Sequence, residues 1–133
     1  MLKTKVISLR FYKQAKLIKT DEFSSVFNFR KRIFTSLIAV HYQPNNLNTA
    51  RLGLVVGKKV AKNAVDRNYM RRVLRECFRL QQYDIPAVDL VIRVHKKFDR
   101  KYFNQLQQEF NQAIVKIKQR ANQLNLQSSE IET

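Results

Sequence analysis

Residues 58–79 read KKVAKNAVDRNYMRRVLRECFR, and this stretch decides the fold class of the chain. Its apolar residues recur at helical spacing, about 100° per residue. The stretch therefore predicts a helix over about 64–81 that docks one arc on a core. That arc consists of Met70, Val73, Leu74, Cys77 and Phe78.

The same stretch holds eight Lys or Arg and only two acids, Asp66 and Glu76. Most of its cations fall on a second arc of the predicted helix. Guanidinium groups stay charged and form planar, paired hydrogen bonds with phosphate. Such groups, held outward on a docked helix, suit a polyanion of defined shape, above all a folded nucleic acid. The second arc consists of Arg67, Asn68, Arg71, Arg72, Arg75 and Arg79.

Composition supports one basic domain. The chain has 133 residues, 44% of them apolar, and a net charge of +16 from 26 Lys and Arg against 10 Asp and Glu. This excess of positive charge repels itself unless a partner neutralises it, and the candidates in order are nucleic acid, an anionic membrane surface and an acidic protein.

The single cysteine, Cys77, excludes an internal disulfide and favours a reducing compartment. No window has the ~18 apolar residues of a membrane helix, and Met1 to Lys19 lacks secretory-signal features. We expect a cytoplasmic protein.

Periodicity predicts an α+β fold in the order helix, strand, strand, helix, strand, helix. A basic arm (1–19) precedes a single domain (20–124), and a polar, frayed tail (125–133) follows it. Thr20 or Asp21 is expected to cap the first helix. The elements are expected at 21–29, 33–42, 51–57, 64–81, 88–95 and 101–122.

Residues 33–42 follow a two-residue period, so successive side chains of this predicted strand lie on opposite faces. One predicted face holds Phe34, Ser36, Ile38, Val40 and Tyr42, and the other holds Thr35, Leu37, Ala39 and His41. A turn rich in Pro and Asn follows at 43–49, so a hairpin with 51–57 is expected. The strand at 88–95 is apolar on both faces, which is typical of a strand inside a sheet. The intervening helix allows strands 51–57 and 88–95 to run parallel.

No catalytic or metal site is expected within the chain. His41 and His95, the two histidines, fall on different strands, and Cys77 belongs to the buried arc, so no Cys/His metal spacing appears. Acids are scattered, whereas a two-metal nuclease site needs clustered carboxylates.

The residues 53–59 (GLVVGKK) and the motif Arg67-Asn68-x-x-Arg71-Arg72-x-x-Arg75 resemble the protein component of bacterial ribonuclease P. That family has a strand ending in Lys-Lys, a basic connector and Arg-Asn-x-x-Lys/Arg-Arg-x-x-Arg on a helix. The segment 21–27 (DEFSSVF) resembles its first helix. Residues 88–97 resemble its last strand and basic turn. The likeness spans about residues 17–117.

The resemblance implies a two-layer sandwich of helices on a small mixed sheet, similar to one domain of a small-subunit ribosomal protein. Its crossover after the second strand would be left-handed, against the common right-handed form. It also implies a function: with a catalytic RNA, one protein per RNA, the chain would remove the 5′ leader of precursor tRNA. The RNA would hold the Mg²⁺ ions. No membrane and no obligatory protein partner are implied.

The resemblance and the position of the basic loop suggest two groups of site residues. The loop at 58–63 lies between a strand end and a helix N-terminus, so it is expected to contact phosphates of the catalytic RNA or of the leader. The first group would contact the catalytic RNA and consists of Lys62, Asn63, Arg67, Asn68, Arg71, Arg72 and Arg75. Asn68 would fix the helix start or a nucleotide edge. The second would line a cleft for the single-stranded leader, whose bases stack on aromatic rings with little sequence demand. It consists of Phe23, Phe27, Leu37, Ala39, His41, Lys58 and Lys59.

Two other functions stay open. One is a non-catalytic RNA-binding protein, such as a ribosomal or RNA-assembly factor with a similar sandwich. The other is a DNA-binding regulator that places the helix 64–81 in a major groove. The latter needs a supporting helix just upstream, where this chain has a strand and a basic loop instead.

Overall fold

The computed structural model describes residues 16–17 and 19–132, with side chains as far as residue 121. Most of the predicted basic arm therefore lies outside the described residues. The helices are α1 (Thr20–Phe29), α2 (Ala64–Gln81) and α3 (Phe103–Glu132), the last preceded by a 3-10 turn at Arg100–Tyr102. The strands are β1 (Lys31–Phe34), β2 (Ile38–Pro44), β3 (Arg51–Val55) and β4 (Val88–Val94).

Helix α2 confirms the prediction made from the helical spacing of its apolar residues. It spans Ala64–Gln81, and its buried residues are the five of the predicted apolar arc. They pack into the larger of two cores, which α2 and α3 share with one face of the sheet. Leu74 and Phe78 are fully buried there. A buried side chain of this size contributes about 1.5–3 kcal/mol, so this arc fixes the helix against the sheet.

The predicted strand at 33–42 is two strands joined by a tight turn, which corrects the sequence interpretation. Thr35 donates its backbone N–H to the Ile38 carbonyl at 2.9 Å. Glu109 of α3 holds the turn, since its carboxylate accepts from the Ser36 hydroxyl at 2.7 Å and the Leu37 N–H at 2.9 Å. The turn contains no Gly, Pro or Asn, and its weaker turn residues, Thr35 and Ser36, were outweighed by the two-residue period across 33–42.

The sheet order is β1-β2-β4-β3. The expected hairpin between residues 33–42 and 51–57 is therefore wrong, because β4 lies between β2 and β3. The parallel pairing of β3 with β4 is confirmed. So is the interior position of β4, in which Leu90, Val91 and Ile92 have no exposed surface. The α+β class with a small mixed sheet is confirmed.

Helix α1 covers the opposite face of the sheet over a smaller core of Leu17, Val26 and Val91. It begins one residue earlier than predicted. Its N-cap is Lys19, whose backbone N–H donates to the Glu22 carboxylate at 3.1 Å. Leu17, within the predicted arm, is buried and donates its N–H to the Leu52 carbonyl at 2.9 Å. The end of the arm thus packs against the edge strand β3.

Arg51 ties α1 to the sheet. Its guanidinium donates to both carboxylate oxygens of Asp89 on β4, at 2.8 and 2.7 Å, and to Glu22 on α1 at 3.0 Å. A paired, partly buried arrangement of this kind adds geometric specificity as well as energy. It holds the start of α1 over the first residues of β3 and β4.

Helix α3 continues past its predicted end near residue 122, through the segment expected to be frayed, to Glu132. That segment has no Gly or Pro, and Gln, Leu and Glu are good helix formers. Within the described part of the chain, no helix combines the length and apolar character needed to cross a membrane.

Candidate RNA interface

The outer surface of α2 presents the predicted arginines. Arg72 and Arg75 are exposed and, among the described residues, form no hydrogen bond or ion pair. Arg71 donates to the Asn68 side-chain oxygen at 3.2 Å, which orients both side chains. With Glu76 and Arg79, three of these residues line a shallow depression: Asn68, Arg72 and Arg75. Guanidinium groups without an internal acid partner are free to bind phosphate.

Both acids of α2 are already paired with cations. Glu76 accepts from the Arg79 guanidinium, and this hydrogen bond lowers the pKa of the carboxyl. Asp66 pairs with Lys97, from the turn after β4, at 3.0 Å. The arc of Arg71, Arg72 and Arg75 is consequently left without a neutralising partner in the described structure.

Arg67 forms hydrogen bonds within the chain that the sequence did not predict. Its Nη1 atom donates to the Ala61 carbonyl at 2.9 Å and to the Lys62 carbonyl at 2.8 Å. The guanidinium therefore clamps the basic loop to the first turn of α2. The prediction that Arg67 contacts RNA stays a prediction, and its substitution would also release the loop.

The loop after β3 is anchored at its middle. Val60 and Ala61 donate backbone N–H groups to the Gly57 carbonyl at 3.1 and 3.3 Å, and Ala61 is buried. The three lysines of the loop, Lys58, Lys59 and Lys62, remain exposed. Asn63 is the N-cap of α2 and makes no capping hydrogen bond through its side chain. The first turn of α2 therefore offers unpaired N–H groups beside these lysines.

Phe23 packs on a glycine of β3. A Cβ atom built on Gly53 would lie 2.6 Å from the Phe23 Cζ atom, so only glycine leaves room for this ring. Phe23, Gly53, Arg71 and Arg75 line one groove of about 330 Å³ around the β3 edge. One residue of the predicted leader group and two of the predicted catalytic-RNA group therefore line the same groove.

Phe27 covers His41. Their rings meet edge to face, with centroids 4.7 Å apart, and His41 is 5% exposed. Ala39, the neighbour on the same face of β2, has no exposed surface. The predicted shared face of Ala39 and His41 is correct. Leu37 does not belong to it, because the turn after β1 directs Leu37 into the larger core.

The surroundings of His41 disfavour the charged form of its imidazole. Burial lowers its pKa from 6.5, and the nearby charges of Arg93 and Arg32, with a smaller contribution from His95, lower it further. Its Nε2 atom is buried without a hydrogen-bond partner among the described residues.

Beyond Phe27 the sheet face is open, and it carries aromatic groups that the sequence interpretation missed. Phe34 is 53% exposed and stacks on His95 with centroids 5.6 Å apart. The Arg32 guanidinium lies 5.0 Å from the Phe34 centroid. Phe34 pairs with Ala39 across β1 and β2, so it lies on the α1 side of the sheet. Its predicted face was wrong because the turn at 35–37 was not recognised.

Cys77 is a buried apolar residue, as predicted. It is 3% exposed, and burial raises the pKa of its thiol to about 11. Among the described residues there is no group of three or more His, Cys, Asp or Glu side chains that could hold a metal ion.

The fold and these surfaces define a class: a basic α+β domain in which a helix presents unneutralised arginines beside an aromatic sheet face. The model of the family described as Ribonuclease P matches residues 11–118. The chain belongs to the family of ribonuclease P protein components, and its family implies tRNA processing with an RNA subunit.

Individual relatives agree with this assignment. The Ribonuclease P protein component of Chromobacterium violaceum is 52% identical over 91 residues, which cover 68% of this chain and 75% of that protein. That of an Azoarcus species is 52% identical over 86 residues, or 65% and 72% of the two chains. The solved RNase P protein of Thermotoga maritima aligns with a TM-score of 0.66 and 26% identity, over 74% of this chain and 94% of that one. A Staphylococcus aureus RNase P protein mutant, described as defective in mRNA degradation, aligns with a TM-score of 0.71 over 80% and 90% of the two chains. At 24% identity it supports the fold.

Proposed function

We propose that this chain binds the catalytic RNA of ribonuclease P through α2 and the 5′ leader of precursor tRNA through the cleft between α1 and the open sheet face. The observation that carries the proposal is the arc of Arg71, Arg72 and Arg75, which no acid of the described chain neutralises. Each phosphate that such an arc neutralises adds about 0.7–0.9 to the slope of log affinity against log salt.

The catalytic-RNA surface comprises the outer side of α2 and the loop that precedes it. Arg72 and Arg75 supply free guanidinium groups, while Arg71 and Asn68 form a linked pair. Lys62 and Asn63 lie at the helix N-terminus, where backbone N–H groups favour anions. A folded RNA would bridge the helix and the loop, and Arg67 would keep the two in register.

The leader would lie over Phe23, Phe27, Ala39 and His41 and continue onto Phe34. Stacking of bases on aromatic rings contributes about 1–3 kcal/mol per base with little sequence demand. Lys58 and Lys59 follow β3 at the end of the sheet where Phe34 and His95 lie, which supports their contact with leader phosphates. Leu37 is buried in the larger core and lines no part of this cleft.

The chemistry is assigned to the RNA subunit. Mg²⁺ held by that RNA would activate a water molecule and stabilise the leaving oxygen. The protein, one copy per RNA, would position the leader and screen the phosphates around the cleavage site. These two effects lower the Mg²⁺ concentration at which the RNA cleaves.

The test is a cleavage assay at low Mg²⁺. The purified chain is mixed with the catalytic RNA of ribonuclease P and a precursor tRNA, and release of the 5′ leader is followed. We expect cleavage well above that of the RNA alone. Binding of the RNA without stimulation would overturn the proposal and favour a non-catalytic RNA-binding protein.

A further inference from the structure

A second basic groove lies at the start of β1, the end opposite Phe34. It lies on the side of the sheet that faces α3. Its volume is about 500 Å³. It carries four cations and no acid, and it is lined by Phe29, Arg30, Lys31, Arg32, Tyr42, Pro44, Val88, Ile117, Arg120 and Ala121. None of the residues assigned above to the catalytic RNA or the leader lines it.

The cations of this groove are available to an anion. Arg30 and Lys31 are exposed and form no ion pair within the described part of the chain. Arg120 donates to the Tyr42 hydroxyl at 2.8 Å, and its guanidinium lies 6.0 Å from the centroid of that ring. Tyr42 is buried, so this contact holds Arg120 in place without neutralising it.

The groove also offers an apolar surface beside its charges. Phe29, the last residue of α1, is 43% exposed. The Arg30 backbone follows in the left-handed conformation, with φ of 65°, and turns the chain into β1. A lone inorganic ion would use the cations alone, whereas a nucleotide would use both the cations and the ring.

The groove is continuous with the open sheet face through Arg32. Arg32 lines the groove, and its guanidinium also lies over the Phe34 ring. Lys31 and Phe34 are the two ends of β1, about 10 Å apart at ~3.3 Å per residue. A single strand leaving Phe34 along this edge would enter the groove. Helix α2 contacts β3, the opposite edge, so an RNA held by α2 leaves the groove free.

We propose that this groove holds the distal part of the 5′ leader, upstream of the nucleotides in the cleft. This inference rests on the proposed function. It extends the leader path around the β1 edge and adds phosphate contacts at Arg30, Lys31 and Arg120 with one base stacked on Phe29. The affinity for precursor tRNA then rises with leader length beyond the span of the cleft.

The test uses the reconstituted holoenzyme and precursor tRNAs whose leaders range from about 4 to about 16 nucleotides, the range of site sizes of single-strand-binding folds. The groove variant is Arg30→Gln with Lys31→Gln, two exposed positions. The matched control is Arg100→Gln with Lys101→Gln, which removes the same charge from the exposed turn before α3. We expect the groove variant to lose about five- to tenfold in affinity for the longest leader and to keep its affinity for the shortest.

The outcomes separate this inference from the proposed function. The groove assignment would be overturned if affinity depended on leader length equally in the wild type, the groove variant and the control. It would also be overturned if the groove variant lost the same affinity at every leader length. A wild-type holoenzyme that binds precursor and mature tRNA equally would overturn the leader cleft itself. As a second measurement, a photoreactive uridine placed in the distal leader should crosslink to residues 29–32. Crosslinks confined to α2 would contradict the assignment.

Discussion

At the scale of single residues, His41 links protonation to stability. The Phe27 ring covers its imidazole, and Nε2 is buried without a partner in the described structure. Because burial, Arg93 and Arg32 lower its pKa, the unfolded chain takes up a proton before the folded one as the pH falls. The stability contributed by neutral His41 is thus complete above the unfolded pKa of about 6.5. It is lost as the pH falls from there toward the folded pKa.

This predicts a pH-dependent free energy of unfolding that depends on His41. His41→Leu should flatten the decline between about pH 7 and about pH 5, measured by urea denaturation at each pH. His95→Gln is the control, because the pKa of His95 is also lowered but its side chain is exposed. It should retain most of the decline. A His41→Leu variant with the wild-type slope would show that another group titrates.

Gly53 is the second residue with a defined consequence. A methyl group there meets the far end of the Phe23 ring, which must move outward. Gly53→Ala should therefore weaken holoenzyme binding of precursor tRNA, by up to the ~1–3 kcal/mol of one stacked base, while mature tRNA binding stays unchanged. Gly57→Ala is the matched control, since its Cβ would have 4.0 Å to the nearest atom. Equal loss in both variants would mean that Phe23 contributes nothing to the leader site.

At the scale of elements, the turn between β1 and β2 depends on one carboxylate of α3. Glu109 accepts from Ser36, Leu37 and Gln105, and the Leu37 N–H is buried. Burial alone would raise the pKa of Glu109, but the hydrogen bonds that it accepts from Gln105, Ser36 and the Leu37 N–H outweigh burial and lower it.

Glu109→Ala should lower the free energy of unfolding by about 1–3 kcal/mol, the cost of leaving a buried donor unsatisfied. Denaturant unfolding measures it. Glu76→Ala is the comparison, because its pair with Arg79 is exposed and should contribute little. Equal effects of the two substitutions would contradict the role of Glu109. The destabilised turn should also displace Phe34 from the leader face.

Helix α2 carries a prediction about salt. Arg72→Gln with Arg75→Gln should reduce the slope of log affinity for the catalytic RNA against log salt by about 1.4–1.8, two phosphate contacts at 0.7–0.9 each. Stability should stay close to that of the wild type, because both side chains lack internal partners in the described structure. Arg67→Gln should lower both affinity and stability, since it also releases the loop. An unchanged salt slope in the double variant would place the RNA elsewhere.

Helix α2 and the turn between β1 and β2 show what the sequence could and could not predict. The boundaries and the buried arc of α2 were predicted correctly because the helical spacing of its apolar residues matches the residues that the fold buries. The turn at 35–37 was missed because the group that holds it, Glu109, lies 72 residues from Leu37 along the chain. That error put Phe34 on the wrong face and hid the stack with His95. The position of β4 between β2 and β3 likewise depends on distant contacts, such as that of Arg51 with Asp89.

At the scale of the whole molecule, the structure sets its basic and aromatic surfaces around one sheet. Helix α2 lies at the β3 edge, α1 crosses the opposite face, and the second groove lies at the β1 edge. Exposed cations of the described residues thus lie on separate surfaces, on α2 and in the second groove. Binding of the catalytic RNA and binding of the leader should be separable by substitution.

The most direct test of this separation is the ratio of the holoenzyme's affinities for precursor and mature tRNA. Phe27→Ala should lower the ratio, because it removes a stacking surface worth about 1–3 kcal/mol from the leader site alone. Arg72→Gln, at a position outside the groove that Phe23 lines, should leave the ratio unchanged and raise the protein concentration needed for assembly. The account is contradicted if Phe27→Ala weakens both tRNAs equally, or if the arginine variant changes the ratio instead.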